Sequence, residues 1–211
     1  MGILLVKVAP YGYGRRKTLR YYEGLAAQRI SPPLLKEAEA HVLSTMNKKD
    51  FRNVRLIICS RKKRSIQTAQ IIRNSFLRGI PLQKSNLANE IPFSLKGLDS
   101  VKASSTNFRY RFLEDFISDK LLEKRRNIES RIIEILRQVK PDHDVLIVTH
   151  TFFMKVFETL VRYPNLFERP ALLMNNYHAE KRLFDYCHCL KINNKFIRRV
   201  LLAEERKENY C

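Results

Sequence analysis

The chain has 211 residues, 45% of them hydrophobic, which suits one folded domain over residues 1–211 and excludes a disordered chain or a disulfide-stapled scaffold. Forty Lys and Arg against twenty-one Asp and Glu give a net charge of +19, a surplus that attracts nucleic acid, acidic membrane or phosphorylated ligands without choosing among them. Cys59, Cys187, Cys189 and Cys211 lack C-x-x-C pairing, so no metal and no cofactor is expected and the cysteines read as reduced residues of a cytoplasmic protein.

No apolar run reaches membrane-spanning length, and the run at the start is too short for a signal peptide. Val6 stands where a myristoylation motif needs Ser or Thr.

In chain order, residues 3–8 read as a buried strand closed by Pro10, followed by a Gly, Tyr and Arg-rich loop from 9 to about 30. Residues 11–22 carry Gly12, Gly14 and four basic side chains, which predicts a mobile flap. Ser31, Pro32 and Pro33 read as the cap and entry of a helix bearing Leu34, Leu35, Ala38 and Val42. Residues 54–59 form a second strand that leads straight into a helix with Ile66, Ala69, Ile71, Ile72 and Phe76 on its buried side. A short strand is expected near 81–87. Residues 107–139 read as two helical pieces, the second displaying Leu121, Ile128, Ile132, Ile135 and Val139.

Residues 145–148 form a third buried strand, and a helix with Phe153, Val156, Phe157 and Leu160 follows. Cys187 and Cys189 alternate with His188 and so share one strand face. Asn193-Asn194 reads as the turn of a hairpin between 183–192 and 196–202. Strand-to-helix units of this kind predict an α/β fold: three layers, α/β/α, around a mostly parallel sheet. Ligands then bind at the carboxyl ends of the strands, here residues 7–16, 59–64 and 149–151.

At the second junction Ser60 ends a strand and Arg64 lies in the first helical turn, where a planar cation adds to the positive end of the helix and suits a phosphate. At the third, His150 lies at the mouth of the same sheet, able to donate to an oxyanion or move a proton near neutral pH. Glu90 sits on an irregular stretch between them, where partial desolvation would make it a general acid.

Taken together, Ser60-x-x-x-Arg64-x-x-Gln67-Thr68-Ala69, the strand ending in Thr149-His150, Glu90 between them and Leu34-Leu35 with Ala38 resemble the histidine phosphatase (phosphoglycerate mutase-like) superfamily from residue 3 to at least 160. The resemblance implies a phosphoglycerate mutase-like fold, catalytic roles for His150 and Glu90, and phosphoryl contacts from Arg64, His150 and the residue at position 7. The family opens with strand-Arg-His-Gly, its histidine attacking phosphorus. Here Lys7 stands at the arginine and Val8 at the nucleophile. Valine has no lone pair, and Lys7 keeps the charge without the bidentate fork. Thr149 and Thr151 replace small residues beside the second histidine and would narrow the pocket.

The leading expectation is therefore a catalytically degenerate family member whose anion pocket, formed by Lys7, Arg64 and His150, binds a phosphorylated small molecule or other anion. A second is an active phosphomonoesterase in which His178 or His41 has taken over. A third is a nucleic-acid-binding module offering Tyr11, Tyr13, Tyr21 and Tyr22 beside Arg15, Arg16 and Arg20.

Overall fold

The computed structural model describes residues 2–10, 19–96, 105–140, 142–179 and 186–208. Five strands, β1 (Gly2–Lys7), β2 (Val54–Ser60), β3 (Leu82–Ser85), β4 (Asp144–Thr149) and β5 (Cys189–Asn193), form one sheet in the order β3-β2-β4-β1-β5. All neighbours run parallel except β5, which pairs antiparallel with β1. The three strands expected to lie together do so, with Ile3 opposite Val145 and Ile57 opposite Leu146.

Alternation along these strands divides the core in two, because successive side chains leave opposite faces of a sheet. Ile3, Leu5, Ile58, Val145 and Ile147 enter one apolar cluster, while Leu4, Val6, Ile57, Cys59, Leu146 and Val148 enter the other. On the first face pack α4 (Ser105–Ile117), α5 (Arg125–Arg137), α6 (Thr151–Arg162) and α8 (Asn194–Glu208). The second carries α2 (Ala38–Thr45) and α3 (Lys63–Phe76). The expected α/β/α layering follows. Two further helices, α1 (Leu19–Ala26) and α7 (Leu172–Ala179), and two 3-10 turns, Lys48–Phe51 and Asn86–Ala88, complete the described elements. Among the described residues no helix is long and apolar enough to cross a membrane.

Gly2 belongs to this frame. Its amide donates to the buried Asp144 carboxylate at 2.5 Å, and a Cβ there would lie 1.9 Å from the Ile192 carbonyl oxygen.

Several sequence expectations need correction. The stretch after Pro10 is not all loop: α1 is helical, and Tyr22 and Ala26 pack on the first cluster at helical spacing. Residues 11–18, which hold most of the expected flap and of the Tyr/Arg surface, lie outside the described residues. Ser31 caps nothing. The chain stays non-helical, with the Leu35 amide donating to the Pro10 carbonyl and a turn at residues 36–37, until α2 starts at Ala38. Leu121 is buried in the connection before α5 rather than within a helix.

The expected hairpin is a strand followed by a helix. Asn193 ends β5, its side chain accepts from the Phe196 amide, and Ile197, Val200 and Leu201 turn inward at helical spacing. Cys187 precedes β5 in a left-handed backbone conformation (φ 58°), yet Cys187 and Cys189 do face the same cluster.

Candidate functional site

The sequence Ser60 to Ala69 folds as a strand end, a short turn and the start of α3, and nearly every residue type in it holds one neighbour in place. Thr68 accepts a hydrogen bond from the Ala9 amide and donates to the Arg64 carbonyl, tying the end of β1 to α3. Gln67 accepts from the Leu34 amide at 3.5 Å. Ser65 donates to the Val148 carbonyl of β4. Ala69 is fully buried, where a larger side chain would separate helix from sheet.

This clamp brings Arg64 and His150 together. Arg64 Nε donates to His150 Nδ1 at 3.3 Å, and His150 Nε2 lies 2.9 Å from Ser60 Oγ. A guanidinium is always a donor, so Nδ1 accepts and a neutral ring carries its proton on Nε2. That N–H donates to Ser60, whose hydroxyl donates to Asn89 Oδ1 at 3.0 Å. Asn89 Oδ1 also takes the Arg61 amide. Arg64 and His150 are both buried. Burial first, then the charges of Arg64, Lys62 and Lys7, holds the His150 pKa well below its usual 6.5, so the ring is neutral at physiological pH. The same cations identify the surroundings: three positive side chains act on one uncharged imidazole.

Lys62 is a member of this group that the sequence concealed inside a basic run. Its ammonium donates to the Gln28 carbonyl, and its pKa is lowered by burial and by Arg64. Asn89, beside the acidic residue that drew attention, was equally unmarked. Lys7 lies with its ammonium 4.6 Å from the centre of the Tyr186 ring, while its backbone exchanges hydrogen bonds with Cys187 and His188.

Glu90 is not on an open rim. It is buried, and its carboxylate accepts from the amides of Ile91, Phe152 and Phe153, the last two in the first turn of α6. His150 is the N-cap of α6 but makes no side-chain cap bond, so Glu90 caps the helix from a distant loop. Burial raises its pKa, opposed by those amides and by Arg64. Thr149 does not crowd the site, since its hydroxyl donates to the Ala88 carbonyl at 2.6 Å.

Val8 continues β1 by donating its amide to the Thr149 carbonyl and is buried in the second cluster with Leu4, Val6, Ala9 and Val148. His41 on α2 has a ring nitrogen 3.3 Å from the Tyr186 carbonyl. The side chain of His178 lies outside the described residues. Burial pushes the Cys187 thiol up to about 12 and Cys59 up to about 11, which leaves almost no thiolate near neutral pH to act as a nucleophile.

Comparison with known proteins bears on the fold and the family. No curated protein matches the chain. Among solved structures that match are a mycobacterial glucosyl-3-phosphoglycerate phosphatase bound to VO3, at TM-score 0.61 and 14% identity over 92% of this chain and 93% of that one. Another is a phosphoserine phosphatase variant from Entamoeba histolytica in complex with phosphoserine, at TM-score 0.54 and 14% identity over 90% and 89% of the two chains. A third is the Bacillus stearothermophilus protein YhfR, at TM-score 0.54 and 16% identity over 91% and 92%. At such identities the likeness establishes the phosphoglycerate mutase-like fold. The family model of the histidine phosphatase superfamily (branch 1) matches residues 18–170, most of the sequence, and the chain belongs to that superfamily.

Proposed function

We propose that this site binds the phosphoryl group of a phosphorylated small molecule without cleaving it. One observation carries the reading: Val8, 2% exposed and packed among apolar side chains, stands where the family resemblance calls for the nucleophilic histidine. Binding needs positive charge and oriented donors, which Lys7, Lys62 and Arg64 supply beside the first turn of α3, a helix start with no side-chain cap. Cleavage needs in addition a nucleophile in line with the leaving group. With both ring nitrogens engaged, His150 serves the anion by orienting Arg64 rather than by direct contact. The mycobacterial and Entamoeba structures hold VO3 and phosphoserine, which supports a phosphate ester as the ligand class.

Calorimetric titration with orthophosphate and vanadate tests the binding half. Wild type is expected to bind both, and Arg64→Ala to weaken binding by about 10-fold to 100-fold, the worth of a charge-assisted hydrogen bond. Absence of binding to wild type would reduce the site to a structural remnant. Turnover of an aryl phosphate that disappears in His150→Ala would instead mark an active enzyme with another nucleophile.

A further inference from the structure

α8 presents a second surface that the phosphate site does not use. Its inner side is core: Ile197 and Val200 are buried and Leu201 packs beside them. Its outer side exposes Lys195, Phe196, Arg198, Arg199, Leu202, Glu205 and Arg206. At about 100° per residue, Lys195, Arg198, Arg199, Leu202 and Arg206 fall within a face roughly 100° wide, with Phe196 on its flank. Four cations and one carboxylate thus surround two large apolar side chains, Phe196 at 38% and Leu202 at 55% exposure. Between the latter runs an apolar-floored groove of 540 Å³. Arg199 sets the geometry: its guanidinium donates to the Val161 and Arg162 carbonyls at the end of α6 and lies 5.2 Å from the centre of the Phe196 ring.

We propose that this outward face of α8 lies flat on an anionic lipid surface. Headgroup phosphates attract the cations, and Phe196 and Leu202 enter the boundary with the acyl chains, as an interfacial helix requires. The alternative anion, a nucleic acid backbone, rewards the cations but not Leu202, which has neither a polar atom nor a ring to stack on a base. The orientation is compatible with the rest of the molecule. β5 ends with Asn193 opposite Gly2, so α8 begins at the amino end of β1, away from the strand ends that lead to Arg64 and His150, and then runs back along the first face beside α5 and α6. The inference stands independently of what the phosphate site binds.

The test is co-sedimentation of the full chain with vesicles of phosphatidylcholine alone and of phosphatidylcholine mixed with phosphatidylglycerol. Wild type is expected to bind only the mixed vesicles. Lys195→Glu with Arg198→Glu should lose about 25-fold or more in partitioning, at about five-fold per cation. Phe196→Ser with Leu202→Ser should lose about ten-fold or more, since it removes the inserted apolar area. All four positions are exposed, and circular dichroism checks that both variants stay folded. The proposal is overturned if the serine pair binds mixed vesicles as wild type does, or if wild type binds both vesicle types equally. It is also overturned if duplex DNA displaces the vesicles and binds the serine pair undiminished, which would assign the face to nucleic acid.

Discussion

Arg64 and His150 constrain each other: the guanidinium fixes the tautomer of the ring, and its charge helps keep the ring neutral. An unfolded chain protonates this histidine near pH 6.5 and the folded protein only well below it, so stability must fall as pH drops below 6.5. Wild type should lose stability more steeply than His150→Gln, by about 1.4 kcal/mol per pH unit just below that value, in urea unfolding at stepped pH. Parallel slopes would mean that the imidazole is solvated.

Glu90 carries the opposite sign, because its raised pKa adds stability at low pH that is lost as pH rises through the folded value. Its larger role is at the α6 terminus. Glu90→Ala should cost about 1–3 kcal/mol by leaving buried amides without an acceptor. A change within about 0.5 kcal/mol would show that water replaces the carboxylate as acceptor for these amides.

At this scale the sequence was informative where a residue's type is tied to a motif, as for Arg64 and His150. It was silent where the role comes from the turn of the chain, as for Lys62 and Asn89. The burial of Glu90 depends on where α6 begins relative to a loop 60 residues earlier, which no local pattern records.

The segment from Ser60 to Ala69 works as one element because Ser65, Gln67 and Thr68 each reach a different strand or loop while Ser60 and Arg64 both meet His150. Thr68 is the sharpest test of this clamp. Thr68→Val keeps the shape but removes the acceptor for Ala9, so it should cost about 1–3 kcal/mol in unfolding and weaken phosphate binding with it. Loss of neither would show that β1 and α3 are held by packing alone.

The central strands and α3, α5 and α6 were legible because each has a single strong period and a buried face. α8 was misread because Phe196, Ile197, Val200, Leu201 and Leu202 make a dense apolar run, and Asn193-Asn194 suggested a turn. The spacing of 197, 200 and 201 was the decisive signal, and Asn193 starts a helix rather than a hairpin. α1 hid in a stretch whose glycines and tyrosines read as loop, although Tyr22 and Ala26 were already four apart.

For the molecule as a whole, the layering places Lys7, Lys62 and Arg64 at the carboxyl ends of the strands and the basic face of α8 on the outside of the first helical layer, so the basic charge gathers in at least two separate regions. The fold was readable from alternating strand and helix patterns, while the chemistry depended on a single position. Position 8 is also tightly packed: Leu4, Val6 and Val8 leave the same face of β1 into one cluster, and an imidazole there should cost about 1–3 kcal/mol of stability.

The central claim, a phosphate site without a nucleophile, is tested most directly by assaying an aryl phosphate with wild type and with Lys7→Arg combined with Val8→His, each confirmed folded by its unfolding transition. Wild type is expected to show no turnover above the uncatalysed rate, since loss of a nucleophile costs several orders of magnitude, and the double variant to gain measurable phosphatase activity. Wild-type turnover equal to that of the double variant would contradict the account.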